Sequence, residues 1–341
     1  MIRRYRLRSL LLLVLTLVLI VTSVTVPVLT GRTDVYAGTD MLSTFPDDAH
    51  IEACRLIAGA GTSVLFTIYD LTDPRICDVL VSAAARDVDV RVLVDPQERV
   101  KLADMKSIIA DLTRSGVAVR NANTAYRITH AKYMVIDGST AYISGNNFTY
   151  ADSKKNRAFA VTTTDAKVVA DLTAVFWADW KRQPLSADKL TSDRVLLSPV
   201  NAGAKMMGLI QDATTSIVVA VQYLQNDAVN QALADAVLRG VHVRCITDGT
   251  YVDSRSSAFA ANLLIGGDRV RVAMDPYYHV KMMLVDDTRM FVGSQNFSAP
   301  PLTDNNPLQQ QREVGLIVTD PTLIARARAV FEFDWARAVA P

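Results

Sequence analysis

The chain reads as an α/β protein built from two duplicated α/β/α halves related by a pseudo-twofold axis. Three observations predict this. One stretch occurs twice, as THAKYMVIDGSTAYISGNNF over 129–148 and as YHVKMMLVDDTRMFVGSQNF over 278–297. A helix, strand, helix, strand pattern precedes each copy, and both halves close alike, Val175-Phe176 with Asp179-Trp180 answering Val330-Phe331 with Asp334-Trp335. Two copies are too few for a stacked solenoid, so a paired arrangement about an axis is expected.

From the start of the chain, Arg3, Arg4, Arg6 and Arg8 precede an uncharged, Leu- and Val-rich run from Ser9 to Thr30. Residues 1–37 are therefore expected to be a signal peptide or a transmembrane anchor. The run is long enough to span a bilayer, and Val35-Tyr36-Ala37 offers a cleavage site beyond it. The basic flank would stay cytoplasmic and the rest would lie outside, anchored to the membrane or secreted.

Residues 38–180 form the expected first half. HIEACRLIAGA and RICDVLVSAAARD carry helical patterns, and SVLFTIYD and VDVRVLVD read as strands. After a linker over 181–201, marked by Pro184 and Pro199, the order recurs in residues 202–341 with KMMGLIQDA, SIVVAVQY, AVNQALADAVLRG and VHVRCITD. Ser63 matches Ser216, Arg86 matches Arg239 and Asp95 matches Asp248 at one offset. Strands alternating with amphipathic helices imply parallel pairing covered by helices. Half of the residues are hydrophobic, which allows a sizeable core, and neither disorder nor low complexity is indicated. Of the three cysteines, Cys54 and Cys77 could pair if exported, whereas Cys245 fits a buried strand position.

Each copy of the long repeat reads as a hairpin, with Asp137-Gly138 as a turn signal between two β-prone runs. A two-residue turn at Gly138 and Ser139 pairs His130 with Asn147 and Lys132 with Gly145. The second copy, turned at Asp287 and Thr288, pairs His279 with Asn296 and Lys281 with Ser294. Because strand side chains alternate faces, each hairpin would then offer imidazole, ammonium and carboxamide on one side. A single histidine on a strand is ordinarily a satisfied core residue, but two of only four histidines carry the same H-x-K-x4-D pattern. His50 and His242 read as incidental, with His242 on the solvent face of a strand.

The pair of patterns resembles the phospholipase D superfamily, whose mark is two HKD motifs, each followed by G-S-x-N. The second copy matches fully, with Gly293, Ser294 and Asn296. The first has Ser144-Gly145 in place of Gly-Ser and retains Asn147, which reads as tuning of one phosphate contact. The resemblance implies a phospholipase D-like fold and a catalytic set of His130, Lys132, Asp137, His279, Lys281 and Asp286. It also implies phosphate contacts from Asn147, Asn296 and Ser294. Asp137 and Asp286 lie at the expected turns, away from the His-Lys faces, and are given a structural role in holding each hairpin.

Two lysines and two asparagines brought together across the axis would stabilise the charge of a phosphodiester in its transition state. One histidine would attack phosphorus while the other protonates the leaving oxygen and then activates water. The residues alone leave the order open; the resemblance assigns the nucleophile to His130 and acid–base work to His279. It further implies an orienting carboxylate after the motif, a position that Glu313 fills. The matching segment of the first half has Ala158, so His130 lacks a local partner. Asp152 or a carboxylate from the other half could serve it, or the two roles could be reversed.

No metal site and no cofactor are implied, because metal-type clusters are missing and lysines already supply the phosphate site. The formal charge of +1 includes the four leading arginines, so the remainder carries about −3, which disfavours a broad polynucleotide-binding surface. The expected partners are a phospholipid substrate and a membrane surface. The expected species is a monomer containing an internal pseudo-dimer, without a protein partner. Hydrolysis of phospholipid head groups through a phosphohistidine is the first reading. An exported or anchored nuclease acting on nucleic acid comes next, then a phosphatidyl transferase of the cardiolipin synthase kind, and last an inactive binding module.

Overall fold

The computed structural model describes residues 36–37, 39–96, 103–249, 269–298, 302 and 310–341. The signal or anchor segment expected over residues 1–37 lies outside them apart from Tyr36 and Ala37. Among the described residues no helix is long and apolar enough to cross a membrane.

The first half runs β1 (Tyr36–Ala37), β2 (Asp40–Phe45), α1 (Ala49–Ala58), β3 (Ser63–Ile68), α2 (Pro74–Ala84), β4 (Asp89–Val94), α3 (Ala103–Arg114) and β5 (Ala118–Asn121). It continues through β6 (Ile128–Thr129), β7 (Tyr133–Ile136), β8 (Thr140–Ser144), α4 (Tyr150–Lys155), β9 (Asn156–Thr163) and α5 (Ala166–Trp180). The second half repeats the plan with β10 (Val195–Ser198), α6 (Ala202–Gln211), β11 (Ser216–Val221), β12 (Leu224–Gln225), α7 (Asp227–Leu238), β13 (His242–Asp248) and β14 (Val270–Ala273). Then follow β15 (Tyr277–Tyr278), β16 (Lys281–Val285), β17 (Arg289–Gly293), β18 (Phe297–Ser298), β19 (Gln311–Val318) and α8 (Pro321–Trp335).

Each half builds one mixed sheet, in the order β1-β2-β9-β8-β7-β3-β4-β5 and β10-β19-β17-β16-β11-β13-β14. The parallel pairing expected from the helix–strand alternation is found in β3-β4-β5 and β11-β13-β14. The repeated hairpin pairs its first strand antiparallel to β3 or β11, and its own two strands, β7-β8 or β16-β17, are antiparallel because a tight turn joins them. In the stretch expected to be a linker, Val195–Ser198 is an edge strand paired with β19, equivalent to β2 on β9.

Both faces of each sheet are covered, so β7 and β16 are apolar throughout apart from Lys281 and are buried at every position. One core spans the inner faces of both sheets together with α5 and α8, joining Tyr133, Phe159 and Phe176 to Met282, Leu316 and Phe331. Separate outer cores lie under the first-half and second-half helices. Asp165 and Asp320 cap α5 and α8 by accepting from the amides two and three residues on.

The halves also exchange main-chain pairing. β6, just before His130, lies parallel to β19 of the second sheet, and β15, just before His279, lies parallel to β9 of the first. Arg157 makes a two-pronged ion pair with Asp334, at 3.0 and 3.1 Å, and Arg312 donates twice to Asp179 Oδ1, at 2.8 and 3.2 Å. Each pair joins a sheet of one half to the closing helix of the other.

The cysteines are all free, so the possible Cys54–Cys77 link is not made. Burial pushes their thiols up, to about 11 for Cys54 and about 12 for Cys77, as befits half-buried apolar groups.

Candidate active site

Hairpin register decides which side chains meet, and it differs by one residue from the two-residue-turn expectation. Ile136 pairs with Thr140 and Val285 with Arg289, so each loop has three residues. Asp137, Gly138, Asp286 and Asp287 take left-handed φ values of 52–60°, which Asp and Gly tolerate. Lys132 accordingly lies opposite Ser144, whose amide donates to its carbonyl at 2.8 Å. Continuing the ladder brings Asn146, rather than Asn147, opposite His130.

The motif aspartates anchor these turns. Asp137 accepts from the amides of Gly61, Thr62 and Ser63 at 2.7–3.2 Å and from the Thr62 hydroxyl. Asp286 does the same with Thr214, Thr215 and Ser216. Each carboxylate thus ties the hairpin to the start of β3 or β11, remote from either histidine. Two further aspartates, matched between the halves by offset but given no role, secure the other end. Asp95 accepts from Thr129 N at 2.6 Å and Asp248 from Tyr278 N at 2.7 Å, each fixing the residue immediately before a motif histidine. They stand at or just beyond the carboxyl ends of β4 and β13, where α/β sheets place their sites.

His130, His279, Lys132 and Lys281 are all buried, with the histidines 8% and 7% exposed and the lysines 0% and 1%. Lys132 and Lys281 each donate to the main-chain oxygen of their own histidine. Tyr69 stands edge-on to His130 at 4.9 Å and also under Lys132, while Tyr277 stacks on His279 at 6.0 Å. Sequence reasoning missed both tyrosines, because an aromatic residue at the end of a strand looks like ordinary core.

The orienting carboxylate works across the axis. Of the alternatives left open for His130, the structure shows a carboxylate from the other half: Glu313 Oε2 lies 2.9 Å from His130 Nδ1. Because β6 is hydrogen-bonded to β19, with His130 N donating to Arg312 O at 2.9 Å, Glu313 follows directly beside the first histidine. Gln311 lies beside it: with its amide oriented to match its neighbours, the nitrogen donates to Glu313 Oε1 and the oxygen accepts from Arg127, both at 2.8 Å. Asp152, the other candidate, is bound instead by Thr149 and Asn156. His279 Nδ1 lies 2.7 Å from Asn146 Oδ1.

Burial drives the ionisation of the set. It pushes His130 down to about 4, against the pull of Glu313, and Lys132 down to about 7. Burial and then the two lysines hold His279 well below its ordinary range, and burial with Lys132 does the same to Lys281. A phosphodiester anion among these groups favours every protonated form.

Ser294 donates to Val314 O at 3.2 Å and accepts from Val314 N at 3.1 Å, so its hydroxyl is engaged with β19. Ser144 is likewise engaged with the main chain of Asn146. At the Ser-Gly inversion of the first hairpin the space is tight: a Cβ at Gly145 would lie 3.1 Å from Gly293 O of the other half. Asn147 and Asn296 are half-buried, each with a buried side-chain oxygen that has no protein partner.

Two like halves joined by strand exchange, each with a buried His-Lys pair, follow one duplicated plan, and the chain belongs to the phospholipase D superfamily. The family model described as "Cardiolipin synthase, PLD-like domain" matches it twice, over residues 53–180 and 206–335. The chain is 25% identical over 304 residues to the probable cardiolipin synthase YwiE of Bacillus subtilis (strain 168), covering 78% of this chain and 59% of that protein. It is 28% identical over 347 residues to cardiolipin synthase A of Pseudomonas fluorescens (strain SBW25), covering 90% and 71%. Among solved structures, the fold is shared with phosphatidylserine synthase of Haemophilus influenzae Rd KW20, at a TM-score of 0.63, 15% identity and coverage of 87% and 86%. Polyphosphate kinase of Porphyromonas gingivalis gives a TM-score of 0.65 at 20% identity, covering 86% of this chain and 50% of that one.

Proposed function

We propose that the chain transfers phosphatidyl groups from a phospholipid to an alcohol, as a cardiolipin synthase-like transferase, through a covalent intermediate on His130. The observation that carries the reading is the paired site of buried His130 and His279, with a carboxylate behind His130 alone. The names of the relatives support an alcohol acceptor, which moves transfer ahead of the head-group hydrolysis that sequence placed first.

In the first step His130 Nε2 attacks phosphorus and the bond to the leaving oxygen breaks, that oxygen taking a proton from His279 Nε2. The N-phosphorylated ring carries positive charge while its Nδ1–H remains, and Glu313 neutralises it. Lys132 and Lys281 stabilise the non-bridging oxygens, where charge develops. In the second step an acceptor hydroxyl returns a proton to His279 and displaces His130. Burial of the reacting imidazoles favours a positioned lipid alcohol over bulk water. The segment of residues 1–37 would hold this site at a membrane.

The test is incubation of purified protein with phosphatidylglycerol in mixed micelles and mass spectrometry of the lipids. Cardiolipin and free glycerol are the expected products. Phosphatidic acid alone would replace transfer by hydrolysis, and cleavage of single-stranded DNA without lipid turnover would replace it by the nuclease.

A further inference from the structure

We propose that Asn146 is a positioning residue for His279, its carboxamide oxygen holding the Nδ1–H so that Nε2 alone exchanges the proton during transfer. The inference rests on the phosphatidyl-transfer reading for its chemistry, but its geometry stands apart from it. The first half has Ala158 where the second has Glu313, so no carboxylate from β9 reaches across to His279. Asn146 occupies that place from two residues beyond β8, with Oδ1 2.7 Å from His279 Nδ1.

Its orientation is fixed from three sides. Asn146 is fully buried, and Nδ2 donates to Asp152 O at 3.0 Å, which leaves Oδ1 as the atom facing the ring. Its own amide donates to Ser144 Oγ at 2.9 Å, and that hydroxyl donates back to Asn146 O at 2.9 Å. Asn156 Nδ2 approaches Oδ1 at 3.4 Å, as a second donor that keeps the oxygen in place. An amide oxygen accepts but does not donate, so Nδ1 of His279 carries a proton in both the neutral and the charged ring, and Nε2 is the nitrogen left to give and take one. The equivalent residue of the other half, Gln295, turns away and donates to Leu196 O at 3.2 Å. Asn146 therefore has no counterpart, and the two histidines differ by one charge behind the ring.

That difference suits two unlike tasks. A carboxylate stabilises the charged ring that stays bonded to phosphorus. A neutral amide orients the ring that must give up and regain a proton without holding it too firmly. The groups facing His279 are Lys281, Lys132, His130 and the stacked ring of Tyr277, and none of these is an anion.

The experiment is long-range 1H–15N spectroscopy of 15N-histidine protein, in which only four histidines contribute. Wild-type His279 should show the Nδ1–H tautomer at neutral pH. Asn146→Asp should move its titration upward by about one to three pH units, and the His279-dependent limb of the transfer pH profile should move the same way. Asn146→Leu should release the tautomer, whereas Glu313→Gln should move His130 and leave the His279 tautomer in place. An Nε2–H tautomer in the wild type, or an unmoved His279 titration in Asn146→Asp, overturns the proposal. The wild-type spectrum decides even where a variant fails to fold. It needs no turnover, so missing transfer product counts against the functional reading and not against Asn146.

Discussion

At the scale of single residues, the site is two similar sets of side chains with different supports. His130 has a carboxylate behind it and His279 an amide; in the proposed mechanism neither histidine works without the other, because attack on phosphorus and protonation of the leaving oxygen belong to one step. His130→Ala and His279→Ala should therefore each lower transfer by several orders of magnitude, and the double variant should lose little more than either single one, as for members of one catalytic unit. A melting temperature close to wild type in each variant separates this loss from unfolding. Substantial turnover by either single variant would dismiss the shared site. Glu313→Gln should leave a folded but slower enzyme, since the ring keeps a hydrogen-bond partner while the charged intermediate loses its counter-ion. Trapping with a phosphorus-labelled substrate should place the acid-labile label on the peptide containing His130. Label on the His279 peptide would reverse the two roles.

At the scale of elements, the repeated hairpin is held at both ends by aspartates, of which one set belongs to the motif. Burial pushes the Asp286 carboxyl up, but the amides of Ser216, Thr215 and Thr214 outweigh it and hold the group well below the ordinary carboxylate range. A depressed folded value means that the stabilisation is present above the unfolded pKa of about 4 and fades as pH falls through the folded value. Asp286→Asn should cost about 1.5–3 kcal/mol, the worth of a charged hydrogen bond. Measured by urea unfolding, the difference from wild type should hold from neutral pH to about 4 and shrink below it. A difference that grows in acid would contradict this account. The structural role of these aspartates was legible from their place at the turn. The register was not, because Asp137-Gly138 and Asp286-Asp287 both sit at positive φ and lengthen the loop to three residues. That single residue moves Asn146 to the place expected of Asn147. β2 and β10 were also missed: DMLSTF is short and unpatterned, and VLLS lies between polar, proline-bearing segments that resemble a linker.

At the scale of the whole molecule, duplication was legible and exchange was not. Repeated letters reveal two halves, but nothing in the letters tells that β6 joins the second sheet and β15 the first. The contacts responsible are main-chain bonds and buried ion pairs between residues far apart in sequence. Arg157 and Arg312 are visible as matched arginines, and Asp179 and Asp334 as matched aspartates; their crossing over the axis is a property of the fold. Arg312 is fully buried, lies over the Tyr126 ring at 4.3 Å and donates to Asp179, while its carbonyl receives the amides of His130 and Ala131. One residue thus carries part of the joint between halves and part of the seat of the first histidine. Arg312→Met leaves the Asp179 carboxylate buried without its cation, which should cost about 3–5 kcal/mol, whereas adding Asp179→Leu removes the stranded charge and should restore much of the loss. Because the halves share one core, unfolding followed by the fluorescence of Trp177, Trp180 and Trp335 should remain a single transition in wild type and in the double variant. Two separated transitions in wild type, or a double variant no more stable than Arg312→Met, would mean that the halves stand independently and that the crossed pairs do not join them.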